Sequence, residues 1–200
     1  MVLPPPAIFV PSDYFRVLEK REVFPDAEKP LEVDLGCGDG TFLAAIAAHY
    51  PERNFLGVER LLGRIEKTSR RIRQGGLTNA RVLRLESSYT LSWLLPSASV
   101  SRLHLLCPDP WPKKKHHKRR MFHDEEFLGG LERILVPGGE FLLKSDDLPY
   151  FEDAVEVMAG RSAFTRLDWP DDAFFYPQTA FERQWLAQGK TLHRARWQRQ

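Results

Sequence analysis

From residue 31 onward, short apolar runs alternate with longer segments whose apolar residues recur at helical spacing. Leu31-Glu32-Val33-Asp34-Leu35 reads as a strand, closed by Gly36-Cys37-Gly38-Asp39-Gly40. An Ala-rich helix is predicted over 41–50, ahead of Pro51, and a second strand over 54–58, ended by Glu59. Residues 61–74 form a helix with basic residues on one side, and Gly75-Gly76 stops it. A third strand over 80–85, a short helix over 90–95 and a fourth strand over 100–107 follow. Beyond residue 120 come a helix over 124–135, a turn at Pro137-Gly138-Gly139 and a fifth strand over 140–144. A helix over 149–158, a short strand over 164–167, a loop over 168–180 and a last strand over 191–197 complete the chain. Residues 1–30 are Pro-rich and mixed in charge; they read as an arm with one short helical turn, ahead of a single domain over 31–200.

Strands alternating with helices predict an α/β, Rossmann-like fold: a mostly parallel sheet, helices on both faces, and an antiparallel last strand. Right-handed crossovers bring the carboxyl ends of the parallel strands to one edge, where ligands bind in such sheets. That edge collects the 36–40 loop, Glu59, Glu86, Asp109 and Ser145-Asp146.

One stretch stands apart from the periodic pattern, Pro108-Asp109-Pro110-Trp111-Pro112-Lys113-Lys114-Lys115-His116-His117-Lys118-Arg119-Arg120. Proline fixes φ and removes backbone donors, so the fourth strand stops here in a fixed turn. An acid and an indole are thereby presented at a strand end, beside a block of cations.

A length of 200 residues suits one domain with a sizeable core. With 29 Lys and Arg against 27 Asp and Glu, the net charge of +2 sets up no global field for a polyanion. Positive charge is instead concentrated at 60–73, 113–120 and 190–199, and such local clusters bind polyanions in a near-neutral protein. Cys37 and Cys107 are too few for a disulfide framework and read as buried free thiols, which favours a reducing cytoplasm. No CxxC or HxxxH spacing suggests a metal, and no apolar run is long enough to span a membrane. The first six residues lack the charged and apolar parts of a signal peptide. Nothing in the pattern indicates a homo-oligomer.

Gly36-x-Gly38-x-Gly40 departs from the dinucleotide fingerprint, because Thr41 stands where its third glycine would fall. A carboxylate at Glu59 suits both hydroxyls of a ribose. No Lys or Arg lies in the loop to hold a pyrophosphate, whereas Asp34 and Asp39 flank it and suit a positively charged cofactor. S-adenosylmethionine has a ribose, an amino group, a sulfonium and no phosphate; Glu86 is placed to accept from its adenine amino group.

Val33-Asp34-Leu35-Gly36-Cys37-Gly38-Asp39-Gly40 resembles the first motif of class I S-adenosylmethionine-dependent methyltransferases. The run from Pro108 to Arg120, Ser145-Asp146 and Thr179-Ala180-Phe181-Glu182-Arg183 together resemble one family within that class, the tRNA (guanine-N7-)-methyltransferases. The resemblance implies methylation of guanosine in the tRNA variable loop. It implies cofactor contacts at Asp34, Gly36, Gly38, Gly40, Glu59, Glu86 and Asp109. It also implies substrate contacts at Lys113, Asp146, Thr179, Ala180, Phe181 and Glu182. Asp34 stands where glutamate is expected, Ser87-Ser88 where an alanine is usual, Cys107 where phenylalanine is commoner, and Ala180 in place of a frequent lysine.

Guanine N7 carries a lone pair and no proton, so methyl transfer to it needs no general base, and no Ser-His-Asp or Cys-His pairing is apparent in the sequence. Asp109 is the expected catalytic residue, stabilising the positive charge that develops on the purine. Lys114, Lys115, Lys118, Arg119 and Arg120 are expected on the RNA backbone, with Trp111 packed under the loop and His116 and His117 neutral neighbours. The basic side of the 61–74 helix reads as a solvated face. Two other readings compete. Asp109-Pro110-Trp111 loosely resembles the Asp-Pro-Pro-aromatic motif of amino-group methyltransferases, but the second proline before the ring is missing. A non-catalytic RNA-binding protein of the same fold would have little use for an intact glycine loop and its acids.

Overall fold

The computed structural model describes residues 6–200, except the side chain of Lys114; residues 1–5, the start of the predicted arm, lie outside the described residues. In chain order the elements are β1 (Ile8–Phe9), α1 (Lys20–Val23), β2 (Leu31–Leu35), α2 (Thr41–His49), β3 (Asn54–Glu59), α3 (Leu62–Gln74), β4 (Ala80–Arg84) and the helical turn α4 (Ser87–Tyr89). Then come β5 (Val100–Leu106), α5 (Glu125–Ile134), β6 (Leu135–Ser145), α6 (Leu148–Ala159), β7 (Phe164–Leu167), α7 (Ala180–Ala187) and β8 (His193–Arg199). They form one eight-stranded sheet in the order β1-β4-β3-β2-β5-β6-β8-β7. Pairings from β1 to β6 are parallel, and β8 runs antiparallel to both β6 and β7. The strand order reverses direction between β2 and β5, which puts the ligand-binding switch point between the glycine loop and the Pro-Asp-Pro turn.

Every residue of β2 and β3 is buried, as expected of strands covered on both faces. One face carries Val33, Leu35, Val58, Leu103 and Leu105 against Phe127 and Leu131 of α5 and Tyr150 and Met158 of α6. The other carries Phe55 and Val82 against Phe42 and Ile46 of α2 and Ile65 and Ile72 of α3. The latter helix turns Ile65, Thr68, Ser69 and Ile72 inward; Arg70 and Arg73 are exposed, while Arg64 borders the carboxyl edge of the sheet and Arg71 pairs with Asp39.

Four features differ from the sequence pattern. β1, in the arm, extends the sheet by pairing Ile8 and Phe9 with Val82 and Leu83 of β4. β6 begins at Leu135 and runs through Pro137-Gly138-Gly139; the register shift opposite Val100 and Arg102 accommodates what reads as a turn. α7 was not predicted, and its start is fixed by a reciprocal capping box between Thr179 and Glu182. In place of the single helix expected over 90–95, α4 runs into one π turn over Thr90–Leu94, closed by Leu95 N–H on the Thr90 carbonyl at 3.1 Å.

Candidate active site

The carboxyl edge of the sheet opens into a cleft of about 740 Å³ at the switch point. Gly36, Glu59, Glu86, Cys107, Asp109 and Phe181 all line it, so segments far apart in sequence meet there. Gly36, Gly38 and Gly40 all have positive φ (78°, 57° and 74°), a conformation side chains rarely adopt. At Gly36 a Cβ would meet nothing within 4 Å, which leaves open space for a ligand to approach the backbone. At Gly40 a Cβ would stand 2.6 Å from Thr68 Cγ2 and 2.8 Å from its Cα, so glycine is what lets α3 pack against the loop.

The acids around this loop divide. Asp34 is 3% exposed, and its Oδ2 has no hydrogen-bond partner among the described residues. Burial, reinforced by the charge of Glu59, pushes its carboxyl up to about 8. Asp39 departs from the expectation that it faces a cationic cofactor. Its Oδ2 pairs with Arg71 Nη2 at 2.8 Å and its Oδ1 accepts from Thr41 N–H at 3.1 Å, so it braces the loop against α3. Glu59 turns Oε1 to the backbone N–H groups of Arg60 and Leu61 (2.7 and 2.8 Å), with Oε2 3.5 Å from Arg64 Nη1. Glu86 caps the turn after β4, accepting from Tyr89 N–H through Oε2 at 2.8 Å. Both acids are thus fixed through one oxygen.

After β5 the chain enters the Pro-Asp-Pro turn through Cys107 and passes Trp111, two of the three non-glycine residues at positive φ (50° and 46°) among those described. Asp109 is exposed at the cleft wall, its Oδ1 accepting from Trp111 N–H at 3.1 Å. Trp111 lies 5.0 Å from the Arg119 guanidinium and edge-on to His116, packed within the loop as expected. Lys113, Lys115, Lys118 and Arg119 are exposed. Arg120 corrects the expectation that it meets RNA. It is 4% exposed, donates to the Pro110 carbonyl at 3.0 Å and pairs with Asp153 at 3.0 Å. Its guanidinium ties the loop to α6. Cys107, half-buried in the cleft, has its thiol pushed up to about 12 by burial and the charges of Asp146 and Glu182. Both cysteines are free, Cys37 fully buried.

The Thr179–Glu182 segment also divides. Glu182, expected at the substrate, is 1% exposed and fully engaged: Oε1 accepts from Lys144 Nζ at 2.6 Å and Oε2 from Thr179 N–H at 2.7 Å. Thr179 Oγ1 returns the bond from Glu182 N–H at 2.9 Å. These two residues build the start of α7, Ala180 is half-buried there, and Phe181, 46% exposed, is the side chain the turn delivers to the cleft. Asp146, half-buried after β6, stands 3.9 Å from Lys190 Nζ. Residues missed by the sequence reading are Lys144, which holds Glu182, and Tyr176, which the loop over 168–180 lays across the sheet; neither carries a motif.

The sheet order and the cleft at its switch point are those of a class I methyltransferase. Solved structures agree at the level of fold: the 16S rRNA methyltransferase KamB has a TM-score of 0.63 at 20% identity, covering 92% of this chain and 98% of that one. The aminoglycoside resistance methyltransferase NpmB1 has 0.62 at 19%, covering 92% and 94%. A family model described as "Putative methyltransferase" matches residues 28–195. The tRNA (guanine-N(7)-)-methyltransferase of Syntrophotalea carbinolica is 37% identical over 92% of this chain and 77% of its own length. That of Geobacter metallireducens is 31% identical over 96% and 89%. The chain belongs to the tRNA (guanine-N(7)-)-methyltransferase family.

Proposed function

We propose that this chain transfers a methyl group from S-adenosylmethionine to N7 of a guanosine in the variable loop of tRNA. The observation that carries the reading is the likeness to relatives of that activity along nearly the whole chain, including 37% identity over 92% of it. Two features beside the cleft support the cofactor: a buried carboxyl oxygen at Asp34 without a partner among the described residues, and open space where a Cβ at Gly36 would stand. When bound, S-adenosylmethionine supplies an electrophilic methyl group on a sulfonium.

Glu59 Oε2 would accept from the ribose hydroxyls, since Oε1 is taken by the backbone. Glu86 Oε1 would accept from the adenine amino group, since Oε2 caps α4. Asp34 and the Gly36, Gly38 and Gly40 backbone would hold the cationic amino-acid end. Guanine N7 has no proton to lose, so no residue here need act as base. With Oδ1 held by Trp111 N–H, Asp109 Oδ2 would face the purine, where a carboxylate stabilises developing positive charge. Positioning by the Pro-Asp-Pro turn supplies the remainder of the rate enhancement. Lys113, Lys115, Lys118 and Arg119 would meet RNA phosphates; Asp146 and Phe181 would border the guanosine; Thr179 and Glu182 would act through the helix start they build.

The test is incubation of the purified protein with unmodified tRNA and methyl donor, followed by nucleoside mapping. The expected product is N7-methylguanosine at one variable-loop position. An N6-methyladenosine product, or binding without any methylated nucleoside, would overturn the reading.

A further inference from the structure

Between β7 and α7, residues 168–179 form a strap across the face of the sheet that carries α2. Three aromatic residues, Phe174, Phe175 and Tyr176, anchor it. Phe175 stacks on His49 with ring centroids 3.9 Å apart, and its carbonyl accepts from Tyr50 O–H at 3.3 Å. Phe174 lies under two guanidinium groups, Arg102 at 4.4 Å and Arg196 at 5.2 Å. Tyr176 goes deepest, its ring packed on Phe42 and near His104 (centroids 4.9 and 5.5 Å).

The Tyr176 hydroxyl ends a buried polar chain. His104, on β5, is fully buried; its Nδ1 lies 2.8 Å from the Tyr176 hydroxyl and its Nε2 2.9 Å from Glu32 Oε2. Although burial opposes ionisation, hydrogen bonds from His104 and Arg53 and the charge of Arg102 hold Glu32 down at about 2. Burial holds His104 below its usual range, against the pull of Glu32. An ionised Glu32 only accepts, so a neutral His104 carries its proton on Nε2 and leaves Nδ1 as acceptor. Hydrogen-bond logic therefore assigns the Tyr176 O–H as donor. The chain runs in one direction, Tyr176 to His104 to Glu32, and Glu32 is itself held by Arg53 Nη1 at 2.6 Å.

Three residues beyond Tyr176 the strap ends at Thr179, whose capping box starts α7. From that start Phe181 reaches the cofactor cleft, while Glu182 takes Lys144 from β6. The same Lys144 ammonium lies 4.7 Å from the Tyr176 ring, so the pin under the strap and the start of α7 share one contact. A second cleft of about 580 Å³, on the far side of α7, is bounded by Trp169, Tyr176, Gln178 and Glu182. The strap thus sets where α7 sits between two clefts.

We propose that Tyr176 and His104 are positioning residues for the RNA substrate: the Tyr176–His104–Glu32 chain pins the strap so that Phe181 and the start of α7 form the RNA-side wall of the active cleft. No residue of the strap lines the cleft where Gly36, Glu59 and Glu86 stand; its nearest approach to that side is Tyr176, which packs on Phe42 and feels the charge of Asp34. The substrate part of the inference rests on the function proposed above; the pin itself does not.

The test compares Tyr176→Phe, His104→Leu and His104→Gln in the full chain. Tyr176→Phe keeps the ring and removes the donor; His104→Leu removes the relay. Glutamine can accept from Tyr176 through its carbonyl and donate to Glu32 through its amide, so His104→Gln should restore wild-type behaviour. For the first two variants, KM for tRNA should rise about three- to tenfold, the range of one buried hydrogen bond, with cofactor Kd within twofold of wild type. Amide hydrogen exchange over residues 174–184, measured without RNA, should accelerate in both and not in His104→Gln. Cofactor affinity falling together with tRNA affinity, or His104→Gln behaving like His104→Leu, would overturn the proposal. Unchanged exchange in Tyr176→Phe removes the pin whatever the substrate, whereas wild-type protein that leaves tRNA unmethylated removes only the functional reading.

Discussion

Asp109 and Asp34 are both acids of the candidate site, yet their surroundings set them different tasks. Asp109 is exposed, and one of its oxygens is held by the turn. Replacing it by alanine is expected to lower kcat roughly a hundredfold while changing cofactor Kd little, the scale of losing one electrostatic stabiliser. Single-turnover kinetics separates the two, and unchanged turnover would rule out the catalytic role. Asp34 is a buried acid raised to about 8, so the folded protein keeps a proton that the unfolded chain releases near 3.8. Its contribution is therefore a stability that falls as pH rises between those values and levels off above about 8. Asp34→Asn should flatten that part of the pH profile of Tm, measured without cofactor. Glu32 works in the opposite sense: held down at about 2, it stabilises the fold above its unfolded value of 4.5 and loses that effect as pH falls through about 2. Residue types in motifs were legible in the sequence, but their exposure was not. Arg120 reads as one more cation in a run, and only Asp153 and the Pro110 carbonyl, brought in by the fold, single it out for burial.

Elements were legible where a strong period or a glycine marked them. The strands from β2 to β5 match the apolar runs to within a residue or so at each end, although Glu32, Asp34, Arg81, Arg102 and His104 interrupt them. α7 escaped because it is eight residues long and only Glu182 within it is buried, so it has no apolar stripe to detect. Thr179-x-x-Glu182 is its one signal in the sequence, and the same residues read there as substrate contacts. Thr179→Ala is accordingly expected to cost about 1 kcal/mol as a lost cap, read by denaturant unfolding, with a larger proportional loss of tRNA affinity than of cofactor affinity. At the glycine loop, Gly40→Ala combines a left-handed φ with contact to Thr68 and should cost about 2–4 kcal/mol. Adding Thr68→Ser should not restore stability, because the Thr68 Cα itself stands 2.8 Å from the new methyl group.

At the scale of the whole molecule, the near-zero net charge conceals a division: acids line the cofactor side of the cleft, and exposed cations stand on the loop beyond Asp109. RNA affinity should fall steeply with salt. Neutralising Lys118 and Arg119 together should lower the slope of log K against log salt by about 0.7–0.9 for each cation that meets a phosphate. Arg120→Met should lower Tm and leave the slope unchanged; equal slopes for all three substitutions would mean the loop is not where RNA binds. The antiparallel β8 adds a consequence of another kind. It follows β7 in sequence, yet it lies between β6 and β7, and β7 enters the sheet only through it. The residues proposed to hold the cofactor, from β2 to the Asp109 turn, form one contiguous stretch of sequence made well before β8. The strap and α7 are suspended between β7 and β8, so they acquire their place only once β8 has docked. If the proposed division of the site holds, the protein should acquire its grip on the methyl donor during synthesis before its hold on RNA, and chains released before residue 193 should fail to compete for tRNA.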